Sequence, residues 1–251
     1  MPLIKTSGII LNSRPMGEYD RLVEIFSDDL GKIDGIAKGA RSFKNRFGGS
    51  LEPFTHCRLG LFRKSNNSLY RIESADIIDS FSRIREDLTL LLYVSRMVDA
   101  LRKLTPLEDP NKTLFSLLHN SLGAIVSGTP VETILFYYQI QILHIAGLGL
   151  RLDGCVRCNR EMKDAKIAIS MAEGGLLCTL CHNRVSGGCV VASGGTIAVI
   201  RKWQSISPHY LNRFTLSGSI KGEIKGILDM YITHITGKRL VDVQRYMRCE
   251  T

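Results

Sequence analysis

Four of the seven cysteines in this 251-residue chain fall into two Cys-x-x-Cys pairs, Cys155 with Cys158 and Cys178 with Cys181, with nineteen residues between the pairs. A Cys-x-x-Cys turn presents two thiolates from one tight knuckle. Two such knuckles complete a tetrahedral zinc shell with bonds of about 2.3 Å. A shell closed by four thiolates leaves no place for a reacting water, so a Zn2+ ion held there is expected to be structural. An odd cysteine total fits a disulfide framework poorly. His182 and Cys189 stand close by but are not needed as ligands. Cys57 reads as a strand thiol and Cys249 as a tail thiol.

The second group that can do chemistry is cationic. The chain carries a net charge of +9, and the charge is concentrated. Residues 38–64 hold seven basic side chains, Lys38, Arg41, Lys44, Arg46, Arg58, Arg63 and Lys64, against a single acid, Glu52. Lysine and arginine pair with phosphates and release counterions, so clustering of this kind suits a polyanion. Lys38, Arg41, Lys44 and Arg46 are the expected DNA contacts, with Arg14 extending the surface from the first turn. Phe43 and Phe47 sit among them, either as stacking faces for unpaired bases or as core anchors. The C-terminal quarter is basic as well (Arg201, Lys202, Arg213, Lys221, Lys225, Lys238, Arg239, Arg245 and Arg248). On amphipathic helices such charges commonly just solvate the outer face.

Several function classes are excluded. The chain lacks the glycine-rich phosphate loops, the nucleophile elbow and the His-Glu-x-x-His pair. None of the six histidines is followed by x-Glu, as a zinc deaminase requires. His144, on an apolar helix, reads as a core residue. A binding protein that is not an enzyme is expected. No apolar run approaches the roughly 18 residues of a membrane span, and Met1–Ser13 lacks the build of a signal peptide. A cytoplasmic protein with no membrane partner follows as the expectation.

The elements that must position these residues form two sets. Residues 1–80 read as β. Apolar, β-branched runs over Lys5–Ser13, Tyr19–Phe26, Lys32–Lys38, Leu51–Phe62 and Ser68–Ile78 predict five strands, the last two joined by a turn at Lys64–Asn67. Five strands with a longer excursion between the third and fourth fit a small closed barrel of the OB type. From Phe81 the period becomes helical through Ile84, Leu88, Leu91, Val94, Val98 and Leu101. Asp109-Pro110 predicts a helix start and Thr129–Glu132 a capping box. Gly147 and Gly237 predict stops, and Ser193 and Ser219 two later caps. The expected architecture is α+β and multidomain. An OB-fold nucleic-acid-binding domain spans residues 1–80 and a helical domain residues 81–251, with a zinc-knuckle insertion at 155–189.

In this order the parts resemble the bacterial RecO recombination mediators. The match is carried by Gly17-Glu18-Tyr19-Asp20-Arg21-Leu22-Val23, Gly31-Lys32, Lys38-Gly39-Ala40-Arg41 and Leu51-Glu52-Pro53-Phe54. The paired cysteines, with Gly174-Gly175 before the second pair, complete it. Where the family usually has a second basic residue after Lys-Gly-Ala-Arg, this chain has Ser42, which shifts the patch toward Lys44 and Arg46. The resemblance implies a nucleoid-associated protein that binds single- and double-stranded DNA and anneals complementary strands. It also implies work with RecR, engagement of the acidic C-terminal tail of single-stranded-DNA-binding protein, and indirect help to RecA in loading on coated DNA. Two other readings of the residues remain: an RNA-binding accessory factor, and an adaptor whose positive face docks acidic protein tails.

Overall fold

The computed structural model describes residues 3–65, 68–162, 166–185 and 187–243, with backbone alone for Lys166, His209, Asn212 and Arg213. The chain packs as two compact units. The first comprises residues 1–94 and 105–128, the second residues 95–104 and 129–251.

Unit 1 is built on a closed barrel of β1 (Ile4–Met16), β2 (Asp20–Ser27), β3 (Gly31–Ala37), β4 (His56–Phe62) and β5 (Tyr70–Asp79), in the order β1-β2-β3-β5-β4. This is the expected OB-type barrel. All neighbours are antiparallel except the short β3–β5 pair, Gly35 opposite Tyr70 and Ile36 opposite Arg71. Alternation sends Ile10, Val23, Ile25, Ile33, Leu59, Leu61 and Ile72 into a closed core. Their neighbours along each strand face out. The fourth strand starts later than the apolar run beginning at Leu51 predicts. Pro53 removes an amide and Phe54 adopts φ 71°, so Leu51 and Phe54 anchor a turn that enters the strand only at His56. Asn66 and Asn67, placed by the sequence in the next turn, lie outside the described residues.

The helical period after the barrel is interrupted. Asp87 takes an extended conformation between α1 (Ser82–Glu86) and α2 (Leu88–Leu104). The following α3 (Lys112–Val126) is capped by Asn111, whose side chain accepts from the Leu114 amide at 3.0 Å. Asp109, the residue that sequence reading selects as this cap, instead lays its backbone against β3. A Cβ on Gly31 would stand 2.3 Å from the Asp109 carbonyl, and Gly31 already has φ 70°. Gly31→Ala should therefore lower the stability of unit 1 by about 2–3 kcal/mol. An unchanged urea midpoint would show that the connector simply moves aside.

His56 of β4 meets α3. Its ring lies edge-on to His119 at 4.8 Å and to Phe115 at 5.8 Å, while Nε2 shares a 2.6 Å hydrogen bond with the Ser7 hydroxyl. Burial holds its pKa below the ordinary histidine value. The charge of His119 lowers it further, against the smaller raising effects of Asp79 and Asp28. The fold thus favours the neutral ring. Its contribution is complete above the ordinary pKa of about 6.5 and is lost as pH falls below it. Denaturation midpoints should drop between about pH 7 and pH 5, and His119→Phe should flatten that slope. An identical slope in the variant would assign the acid sensitivity to other groups.

Unit 2 is helical. Its centre is α4 (Val131–Ile145), buried from Thr133 through Ile140, as expected of a helix with neighbours on all sides. Thr129 forms no capping box. Pro130 occupies the cap position without a side-chain bond. Gly147 follows the helix with φ 72°, and its amide bonds the His144 carbonyl. His144 itself is exposed, contrary to the core position that the apolar stretch suggests, because it falls where α4 reaches its last turn.

A three-stranded sheet interrupts the helices. It consists of β6 (Lys166–Ser170), β7 (Gly175–Leu177) and β8 (Cys189–Ser193), in the order β7-β6-β8. The short α5 (Thr179–His182) belongs to the cysteine region. The chain then re-enters helices at α6 (Gly194–Trp203), capped by Ser193, and at α7 (Gly218–Thr236), capped by Ser217 two residues before the expected Ser219. Arg96 of α2, buried, pairs with Asp229 of α7 and donates to the Val241 carbonyl. No helix among the described residues is long and apolar enough to cross a membrane.

Candidate metal centre and candidate nucleic-acid interface

The four cysteines meet because β7 is hydrogen-bonded to the stretch of chain that enters the first knuckle. Arg151 and Val156 donate to the carbonyls of Gly174 and Leu176, and Leu176 returns a bond to Arg151, all at 2.8–3.1 Å. A Cβ on Gly175 would lie 2.4 Å from the Val156 side chain and 2.5 Å from the Arg151 carbonyl, so only glycine permits this approach. The first knuckle closes through the Cys155 amide to Arg160 and the Asn159 amide back to Cys155, with Asn159 at φ 56°. The second is the start of α5, where the His182 amide bonds the Cys178 carbonyl at 2.8 Å.

The ligand atoms of Cys155, Cys158, Cys178 and Cys181 all lie within 4.8 Å of one another, and the sulfurs of Cys158 and Cys178 are 3.7 Å apart. Bonds of about 2.3 Å in a regular tetrahedron require sulfur separations of about 3.8 Å. The donor set and its spacing therefore fit a metal ion. The electrostatics fit as well. Burial opposes ionisation of Cys155, but amide hydrogen bonds from Cys178, Cys158 and Arg157 outweigh it and bring its thiol down to about 6. The Cys181 amide lowers Cys178. Cys181 is pushed the other way, to about 12, first by its hydrogen bond with Cys178 and then by burial. Thiolates crowded this closely oppose one another's charge, and a divalent cation would offset that opposition. Cys189 lies on β8 and packs against this cluster, while Cys57 is a buried thiol of β4 that donates to the Ser50 carbonyl. Cys249 lies outside the described residues.

In unit 1 the turn between β1 and β2 receives the chain that leaves β3. The Arg41 amide donates to the Tyr19 carbonyl at 2.9 Å, and its guanidinium donates to the carbonyls of Gly17 and Glu18. Lys38 pairs with Asp20 at 2.6 Å, and the Gly39 amide adds a second bond to that carboxylate. Together they hold the Asp20 carboxyl below its usual range, the Lys38 hydrogen bond first. Arg46 lies over the Phe47 ring and reaches Glu73 at 3.3 Å. Arg14, exposed on β1, and Lys44, exposed on the loop, form no ion pair among the described residues.

The two phenylalanines separate in role. Phe47 is buried in the barrel core, and Phe43 is fully exposed. Tyr19, 59% exposed beside Arg41, is a second aromatic face that composition does not reveal. Five cations and two exposed rings thus surround one end of the barrel. Of the C-terminal basic residues, Lys221 and Lys225 are held by Glu132 and Asp229. Arg245 and Arg248 lie outside the described residues, as does the Arg213 side chain. Unit 2 also contains a cavity of about 500 Å³, lined in part by Met171, Met230, Leu240, His234 and Arg239.

An OB-type barrel joined to a helical unit that carries a four-thiol knuckle defines a multidomain α+β class with a candidate nucleic-acid face and a candidate metal centre. Residues 1–81 match the family model for the Recombination protein O N terminal, and residues 85–242 match that for the Recombination protein O C terminal. The DNA repair protein RecO of Syntrophus aciditrophicus is 32% identical over 238 residues, covering 94% of this chain and 92% of the relative. The RecO proteins of Anaeromyxobacter dehalogenans and Bacillus pumilus are each 30% identical. They cover 96% and 94% of this chain and 94% and 90% of their own lengths. The chain belongs to the recombination protein O (RecO) family.

Proposed function

We propose that this protein is a DNA-binding mediator of recombinational repair that acts by binding alone. In this reading residues 1–80 form the DNA-binding domain, which takes single- and double-stranded DNA and anneals complementary strands. Residues 81–251 dock protein partners, and the insertion at 155–189 holds one structural Zn2+ through Cys155, Cys158, Cys178 and Cys181. The partners are RecR and the acidic tail of single-stranded-DNA-binding protein. The outcome is RecA loading on coated single strands, in the cytoplasm at the nucleoid.

The observation that carries this reading is the cluster at the end of the barrel. Lys38, Arg41, Lys44, Arg46 and Arg14 supply phosphate contacts, and Phe43 and Tyr19 supply exposed ring faces on which unpaired bases can stack. Sequence-tolerant binding of this kind needs no nucleotide. The test is annealing of complementary labelled oligonucleotides coated with single-stranded-DNA-binding protein, without nucleotide. Acceleration is expected. DNA binding without acceleration would leave a general nucleic-acid binder and sink the mediator role.

A further inference from the structure

The loop that leaves β3 is anchored in the core on both sides of its tip. Ala40 and Phe47 are buried in the barrel core, and hydrogen bonds fix the backbone between them. The Ser42 amide and hydroxyl both donate to the Gly39 carbonyl, at 3.0 and 2.7 Å. The Asn45 amide and side-chain Nδ2 both donate to the Ser42 carbonyl, at 3.1 and 3.2 Å. Asn45 Oδ1 accepts from the amides of Phe47 and Gly48, at 3.0 and 2.9 Å. The Ser42–Asn45 bond closes a β-turn with Phe43 and Lys44 at its two central positions.

The Phe43 ring at this corner is entirely exposed and touches no other ring or cation among the described residues. Both of its faces are therefore free. Tyr19 is only 59% exposed. A ring backed by protein offers one face and stacks one base. A ring open on both faces fits between two consecutive bases and replaces the contact they make with each other. Lys44 stands next to the ring and Arg41 two residues before it, in a stretch, residues 38–50, that contains no acid. Cations so placed can hold the phosphates beside an opened step. Because the turn is already fixed, presenting the ring requires little further ordering on binding.

We propose that Phe43 is a wedge that enters between adjacent bases, and that it makes the protein favour duplexes with a mispaired step over fully matched ones. This inference rests on the DNA-binding reading above and adds a selectivity to it. A single strand admits the ring at small cost, and a matched duplex must first be unstacked. Unstacking costs least where the pairing is already broken, so a mismatch lowers the cost at that step. Both DNA forms remain ligands. The preference appears chiefly as slower dissociation from the mispaired duplex, so a correctly annealed product leaves first.

The experiment measures binding of the full-length protein to a matched duplex and to the same duplex with one central mismatch, at several salt concentrations. A 2-aminopurine beside the mismatch reports unstacking by its fluorescence. Wild-type protein should prefer the mismatched duplex by about tenfold and brighten the probe. Phe43→Ala should abolish both effects and leave the salt slope unchanged, because the ring carries no charge. Phe43→Leu should keep much of the preference, since leucine also serves as a wedge. Lys44→Gln should do the converse, keeping the preference and reducing the duplex salt slope by about 0.9. Phe43 is exposed, so all these variants should melt as wild type does. Wild-type protein that binds both duplexes equally would overturn the wedge and leave the DNA-binding reading standing. So would a Phe43→Ala variant that retains the preference, or one that weakens both duplexes by the same factor. Protein that binds no DNA in any form would overturn both readings.

Discussion

Serine in place of Cys178 will release about one zinc per chain and lower the melting temperature of unit 2 on the order of 10 °C, with the barrel left folded. The magnitude comes from a loss of several kcal/mol, modest beside the apparent 10 kcal/mol or more, roughly, of structural zinc in isolated knuckles. For a unit of this size each kcal/mol moves the midpoint by about 2–4 °C. The comparison that decides the cause is Cys158→Ser. Cys178 is buried and Cys158 is exposed. Were the thiols only packing groups, the first substitution would be costly and the second nearly silent. With a metal ion shared among four ligands, both must cost about the same, and a chelator must reproduce the loss in the unaltered protein. Purified protein with no bound metal and two unequal serine variants would remove the ion from the account. DNA binding is expected to survive in every case, because all four cysteines belong to unit 2.

The second large effect concerns the barrel. Neutralising Lys38, Arg41, Lys44 and Arg46 together should cut single-strand affinity on the order of 100-fold near 0.1 M salt. It should also reduce the salt slope by about 2–3, at roughly 0.7 for each phosphate no longer neutralised. The four should not contribute equally. Lys38 and Arg46 exchange a carboxylate for a phosphate, Asp20 in one case and Glu73 in the other. Lys44 exchanges only water, and the Arg41 guanidinium is held by carbonyls that leave its charge uncompensated. Single substitutions at Arg41 and Lys44 should thus weaken binding more than those at Lys38 and Arg46. A slope that stays unchanged in the quadruple variant would move the DNA site off the barrel, with the basic C-terminal quarter next to be tested.

What the sequence by itself determined is whatever short-range chemistry dictates. Alternating β-branched residues give five strands, and the four-thiol set is legible in two tetrapeptide spacings. Gly147, Ser193 and Gly237 mark helix ends because caps act within a turn of their own residue. Caps failed where a longer-range contact competed. Asp109 was taken up by β3, leaving Asn111 to cap α3. Thr129 gave way to Pro130, and the late start of β4 followed from the turn that Phe54 anchors.

Only the tertiary structure decided which cations are free and which are already paired. It also separated Phe43 from Phe47 and brought Tyr19 to Arg41. The alignment of Arg14, Leu22, Ile36 and Arg71 across the barrel exists only once four strands are in register. Ladder pairing joins residues as far apart in the chain as Ile4 and Leu61, and no local pattern encodes which of them will stand side by side.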